Sequence, residues 1–273
     1  MNGDLAQLVT LAAYGNVYLS REGVAPPDLA GSNPMFKFSR VQFMRDPEPY
    51  GDAMRGTLVA KTTAEWYAHL RGLGAQHIWL VRRGDPVPAD IARHEIVAFA
   101  GGGDWHLQVD YPNRSEAWSA AWEFVDKSGD RRGAYWNVTY AGVPIDGIPA
   151  VEKHDLGEVK ARLRQALVEI ERFARGNNEE GWADLFKREL NKLDEAEHVQ
   201  PSDMLPEEGY SREAHRLLSA AAGAWVFGGM GSWNDIYFLD EQVRADYGRL
   251  SAELYDAVVA SAIAATNSFE RPL

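Results

Sequence analysis

Apolar positions along the chain follow two periods, and the change between them falls near residue 150. At the amino end, Leu5, Leu8, Val9 and Ala12 share one helical face over residues 4–14, with Asp4 placed to cap it. Pro26, Pro27, Gly31, Asn33 and Pro34 mark 21–35 as loop. Alternation of Phe36, Phe38, Val41 and Phe43, broken once, predicts a strand, and Pro47, Pro49 and Gly51 predict a loop over 46–56. Thr62 and Glu65 form a capping box ahead of a helix carrying Trp66, Leu70 and Leu73, which Gly72 and Gly74 end. From 76 to 141 the order is mostly strand, turn, strand. Strands are expected at 76–83, 95–100, 105–111 and 135–140, with the glycines of 101–104 making a hairpin connection. Residues 118–126 fit either a helix through Trp118, Ala121, Trp122 and Val125 or a strand. A hairpin closed by a turn at 127–130 is the preferred reading.

Beyond Pro144, Gly147 and Pro149 the period becomes helical. Asp155 and Glu158 make a second capping box before the stripe Leu156, Val159, Leu163, Leu167, Ile170 and Phe173, which stops at Gly176. Asn178 is placed to cap a helix with Trp182, Leu185, Phe186, Leu190 and Leu193 on one face. Residues 194–210, acidic and holding Pro201 and Pro206, predict a solvated connection. Ser211 caps a third helix, with Leu217, Leu218, Ala221, Ala222 and Trp225, and Asp240 a fourth, with Val243, Tyr247, Leu250, Leu254 and Val258. The expected fold class is α+β: a mostly antiparallel sheet in the N-terminal half with a four-helix C-terminal half packed on it or beside it. Residues 1–150 and 151–273 are two units or one continuous domain; a chain of 273 residues allows both.

Composition narrows the functional classes. The net charge is −12, divided as −3 over 1–150 and −9 over 151–273. Phosphate backbones and anionic lipids need clustered Lys and Arg, so neither nucleic acid nor a membrane surface is an expected partner, the pairs Arg82-Arg83 and Arg131-Arg132 notwithstanding. No run approaches the roughly 18 apolar residues of a membrane span, and the first residues lack a signal-peptide pattern, so a cytoplasmic location is expected. The absence of cysteine excludes disulfides, thiolate metal sites and a cysteine nucleophile. His69, His77, His94, His106, His154, His198 and His215 show no metal-ligand spacing, and no cofactor or metal is expected.

The densest polar chemistry lies in 224–235, where an apolar helical run ends in Gly228, Gly229 and Gly231 and is followed by Ser232, Trp233, Asn234 and Asp235. Backbone N–H groups in such a turn can cradle an anion, while the four side chains orient, stack on and hydrogen-bond a ligand or partner. The spacing is neither that of a phosphate loop nor that of a dinucleotide fingerprint. Turn chemistry explains the same residues, with Gly228 ending the helix and Trp233 packed in the core. Asp104, Trp105 and His106 are a lesser candidate at the glycine hairpin, and the sheet aromatics Trp105, Trp122, Tyr135 and Trp136 are read as core before they are read as a ligand-sensing face. Two functions follow. One is a cytoplasmic, bacterial-type binding or interaction protein without catalysis, its acidic C-terminal half facing a basic partner. The other is a hydrolase or transferase whose site is lined by 228–235, with Asn234 orienting substrate or stabilising developing charge and Asp235 acting as a general base or an orienting group.

Overall fold

The computed structural model describes residues 1–50, 53–82, 94, 105–125, 135–194, 202–228 and 230–271. Expected features at 83–93 and 95–104, the turn at 127–130, Arg131, Arg132, His198 and Gly229 lie outside the described residues.

The fold is α+β, as the periodicity predicts. Six strands, β1 (Ser39–Tyr50), β2 (Ala53–Ala60), β3 (His77–Arg82), β4 (Trp105–Asp110), β5 (Ser115–Phe124) and β6 (Trp136–Ile145), form one sheet in the order β2-β1-β6-β5-β4-β3. Every neighbouring pair is antiparallel except one, the second from the β2 edge, where β1 runs parallel to β6 from Ser39↔Trp136 to Arg45↔Gly142. Of the expected loop at 46–56, residues 46–50 belong instead to β1 and 53–56 to β2. The prolines of β1 fit because β6 pairs with β1 only as far as Arg45, so beyond that point, among the described residues, β1 has a side without a strand partner, where a missing N–H costs little. Asp46, at φ 50°, sits in the register break between Arg45 and Glu48. In the ambiguous segment 118–126, residues 118–124 are strand and complete β5.

Seven helices are described: α1 (Gly3–Ser20), α2 (Leu29–Ser32), α3 (Thr63–Gly72), α4 (Leu156–Gly176), α5 (Glu180–Asp194), α6 (Arg212–Gly223) and α7 (Glu241–Asn267). Local cap chemistry set most of their starts. Thr62, Asp155, Ser211 and Asp240 each accept the N–H three residues on, and the Glu65 carboxylate reaches back to the Lys61 N–H. Other boundaries moved. Asn2, not Asp4, caps α1, which runs on to Ser20. Asn178 adopts φ 63° and turns the chain, so α5 is entered through Glu179, whose carbonyl accepts from Ala183. Helix α6 ends at Gly223, leaving Trp225 and Gly228 beyond it. Residues 202–210 are not merely solvated, since Met204, Leu205 and Tyr210 are buried.

One face of the sheet is covered. Val41, Phe43, Ile78, Leu80, Leu107, Val109, Trp118, Val138 and Tyr140 point into it and are buried, whereas Gln42, Leu58, Ala121 and Val143 on the other face are exposed. Phe43 stacks on Trp66 at 4.6 Å and on Tyr140 at 4.9 Å, and Trp118 meets Trp66 edge-on at 5.5 Å, so much of the sheet's aromatic content is core. Helix α1 lies against β3, α3 and α7 and is buried on nearly all sides. Its polar residues are paired: Gln7 accepts from the Tyr140 hydroxyl (2.7 Å) and donates to Met35 O and Ser39 Oγ (2.9 Å each).

The outer strand β3 closes the sheet with side-chain amides. Asn16 of α1 accepts the Ile78 N–H and donates to the Ile78 carbonyl, both at 2.8 Å. Asn267, at the end of α7, does the same for Leu80, both at 2.9 Å. Each carboxamide stands in for one peptide group of a missing strand, and in this way the last helix of the C-terminal half docks on the sheet.

Candidate functional site

The segment 224–235 leaves α6 at the Ala224 cap and closes on itself as a tight structure ending in a single 3-10 turn, Trp233–Asp235. Trp233 is fully buried. Its ring meets Trp182, Phe186 and Tyr247 at 5.7, 5.3 and 5.2 Å, its indole N–H donates to Ser251 Oγ at 2.7 Å, and its backbone N–H donates to Val226 O at 3.2 Å. Ser232 caps the turn by accepting the Asn234 N–H (3.3 Å) and donates its hydroxyl to Gly228 O (3.0 Å). Asp235 accepts the Gly231 N–H, and Tyr247 donates its hydroxyl to Trp233 O. Asn234 donates to the His94 carbonyl at 2.9 Å, which ties the segment to the N-terminal half. Gly231 needs its lack of Cβ, with φ at +84°, whereas at Gly228 an added Cβ would come no nearer than 3.8 Å to Ser232.

The structure therefore brings Gly228, Gly231, Ser232, Trp233, Asn234 and Asp235 together, chiefly by bonding them to one another and to the core. Around them the surface is unusual. Met230 is fully exposed, Leu239 is 89% exposed and Tyr237 is 71% exposed, and the carboxylates Asp235, Asp240 and Glu241 are exposed beside them in the chain.

A second polar constellation has no counterpart in the sequence reading. Glu116 of β5 is buried, at 1% exposed, on the covered face of the sheet. Tyr111 donates to its Oε2 at 2.9 Å, and the guanidinium groups of Arg45 and Arg114 both reach Oε1. Arg114 also lies over the Tyr111 ring, 4.0 Å from its centroid. Burial pushes the Tyr111 hydroxyl above its ordinary range, against the pull of Arg114 and Arg45. Burial, then the charges of Arg45 and Arg114, push His69 below the usual imidazole range. Three donors converge on this one buried carboxylate and anchor β1 to the β4–β5 turn. The sequence signal for this group is only the polar Glu116 at a covered-face position two residues before Trp118, because its partners come from 2 to 71 positions away.

Among the described residues no group of three or more His, Asp or Glu side chains is placed to hold a metal ion, and no helix is long and apolar enough to cross a membrane. Trp105 is buried against Trp225 (6.0 Å), and Arg82 pairs with Asp256 at 3.1 Å. No protein-family model, curated protein or solved structure matches the chain.

Proposed function

We propose that the protein acts by binding a partner protein, not by catalysis, and that the partner docks on the surface carried by 230–241. The observation behind this reading is the exposure of Met230, Tyr237 and Leu239 on a segment whose backbone is tied down by Ser232, Trp233, Asn234, Asp235 and Tyr247. Met and Tyr are enriched in interface cores, and presentation from an already ordered backbone lowers the ordering cost of association. Asp235, Asp240 and Glu241 flank these apolar groups in a half of the chain that carries −9, so the matching surface is an apolar pocket rimmed by basic side chains. In this reading the polar atoms of Ser232, Asn234 and Asp235 shape the platform, and no step of chemistry is asked of them.

Photo-crosslinking from positions 230, 237 and 239, with exposed Lys187 of α5 as control position, tests this. Support is one protein captured from all three positions and not from 187, with a basic contact surface and capture that falls as salt rises. Equal capture from 187, no capture at all, or crosslinks only to a second copy of this chain would overturn it.

A further inference from the structure

At the opposite side of the molecule from the β3 edge, β2 stops short. Its last partnered residue, Ala60, lies opposite Phe43, so Ser39–Gln42 of β1 have no β2 neighbour. Among the described residues, the space beside this stretch is a cavity of about 680 Å³, within the usual range for small-molecule sites. It is walled by the segment through α2 and the following 3-10 turn, by the start of β1, by Asn137 of β6 and by the β2–α3 junction.

Its lining has a charge bias in a strongly acidic chain. Among the described lining residues Lys37, Arg40 and Lys61 face it, with one carboxylate, that of Asp28. That carboxylate is already engaged: its Oδ1 accepts the Ala30 N–H at 3.2 Å and lies 3.5 Å from Thr63 Oγ1. Among the described residues neither Lys37 nor Lys61 has a carboxylate partner, and the Lys37 ammonium lies over the Phe38 ring, 5.4 Å from its centroid. The N-terminus of α3, at Thr62, opens on the same cavity and adds the positive end of a helix of ten residues. Neutral polar groups complete the wall, with the Gln42 amide held at 2.9 Å from Thr139 Oγ1 and the Ser39 hydroxyl at 2.9 Å from Gln7 Nε2.

We propose that this cavity binds a small molecule through a phosphate or carboxylate group, with Lys37, Arg40 and Lys61 around the anion and the amides of Gln42 and Asn137 on its polar body. A space of this volume, a cationic wall and a helix N-terminus coincide beside the start of β1. Each of the three cations supplies a charge-assisted contact, and the protein partner proposed at 230–241 plays no part in it.

Calorimetric titration with inorganic pyrophosphate and, separately, with citrate at matched ionic strength tests the assignment. The Gln42 and Asn137 side-chain amide resonances are followed in parallel. Saturable binding of pyrophosphate assigns the phosphate class and binding of citrate the carboxylate class. In either case Arg40→Ala and Lys61→Ala are each expected to weaken affinity on the order of tenfold, while Lys187→Ala leaves it unchanged. Both variants alter exposed side chains, and an unchanged circular dichroism spectrum and Tm verify that they fold. Absence of saturable binding by both probes, binding that leaves the two amide resonances unmoved, or binding indifferent to Arg40→Ala and Lys61→Ala would overturn the proposal.

Discussion

Replacing Asn267 tests how the sheet edge is closed. Asn267→Leu keeps the branching of the side chain, with bulkier methyl ends, and removes both contacts to β3. Leu80 is fully buried, so its N–H and C=O cannot turn to water once the carboxamide is gone. A buried backbone group left unpaired costs about 1–3 kcal/mol, so the two together cost roughly 2–6 kcal/mol. For a domain of this size that corresponds to a fall in Tm on the order of 4–20 °C. Asn267→Ala should cost at least as much. Asn267→Asp should not rescue at neutral pH, because a carboxylate accepts the Leu80 N–H but sets negative charge against the Leu80 carbonyl. Urea unfolding followed by far-ultraviolet circular dichroism reads the stability, with an unchanged m-value showing that the unfolding transition keeps its extent. An unpaired strand edge also templates association, so the Leu variant should show concentration-dependent oligomers by size-exclusion chromatography. If Asn267→Leu lies within about 0.5 kcal/mol of the native protein and stays monodisperse, the amide does not close the edge and the reasoning fails.

Four further outcomes follow from the packing. Gly231→Ala forces a side chain into φ +84° and should cost about 1–2 kcal/mol, whereas Gly228→Ala should cost under about 0.5 kcal/mol; thermal melts of the pair separate them. Ser251→Ala orphans the Trp233 indole N–H and should cost about 1–3 kcal/mol, with much of that loss absent when Trp233 is already Phe; an additive double-mutant cycle would dismiss the bond. Gly142→Ala places a Cβ 2.6 Å from the rigid indole of buried Trp118 and should destabilise by about 1–3 kcal/mol in denaturant unfolding. His77 is lowered to about 4 by burial, against the pull of Asp110 and helped by Lys153 and Arg271. The unfolded chain, with its imidazole near 6.5, takes up the proton first, so stability is complete above that value and falls as pH drops toward 4, by roughly 3 kcal/mol. A His77→Gln variant should lose that part of the slope, and an unchanged slope between pH 6.5 and 4 would refute the assignment.

What the sequence determined by itself is what depends on near neighbours. Four helix starts at Thr62, Asp155, Ser211 and Asp240 were legible because a cap is a contact across three residues. The α+β class was legible because the period of burial is a property of each element alone. The turn nature of 228–235 was half legible: Gly231 and Ser232 act locally, but that the Trp233 indole meets Ser251, and Asn234 the His94 carbonyl, is decided by helices and segments far along the chain. The prolines at 47 and 49 misled because their cost depends on whether a strand runs alongside, and β6 ends its pairing at Arg45. Only the tertiary structure decided the parallel β1–β6 pair, the two asparagines that close β3, the Glu116 anchor and the cationic cavity beside β1. Each depends on at least one contact between residues tens to nearly two hundred positions apart, and a pattern with a period of two or 3.6 carries no information about which distant faces meet.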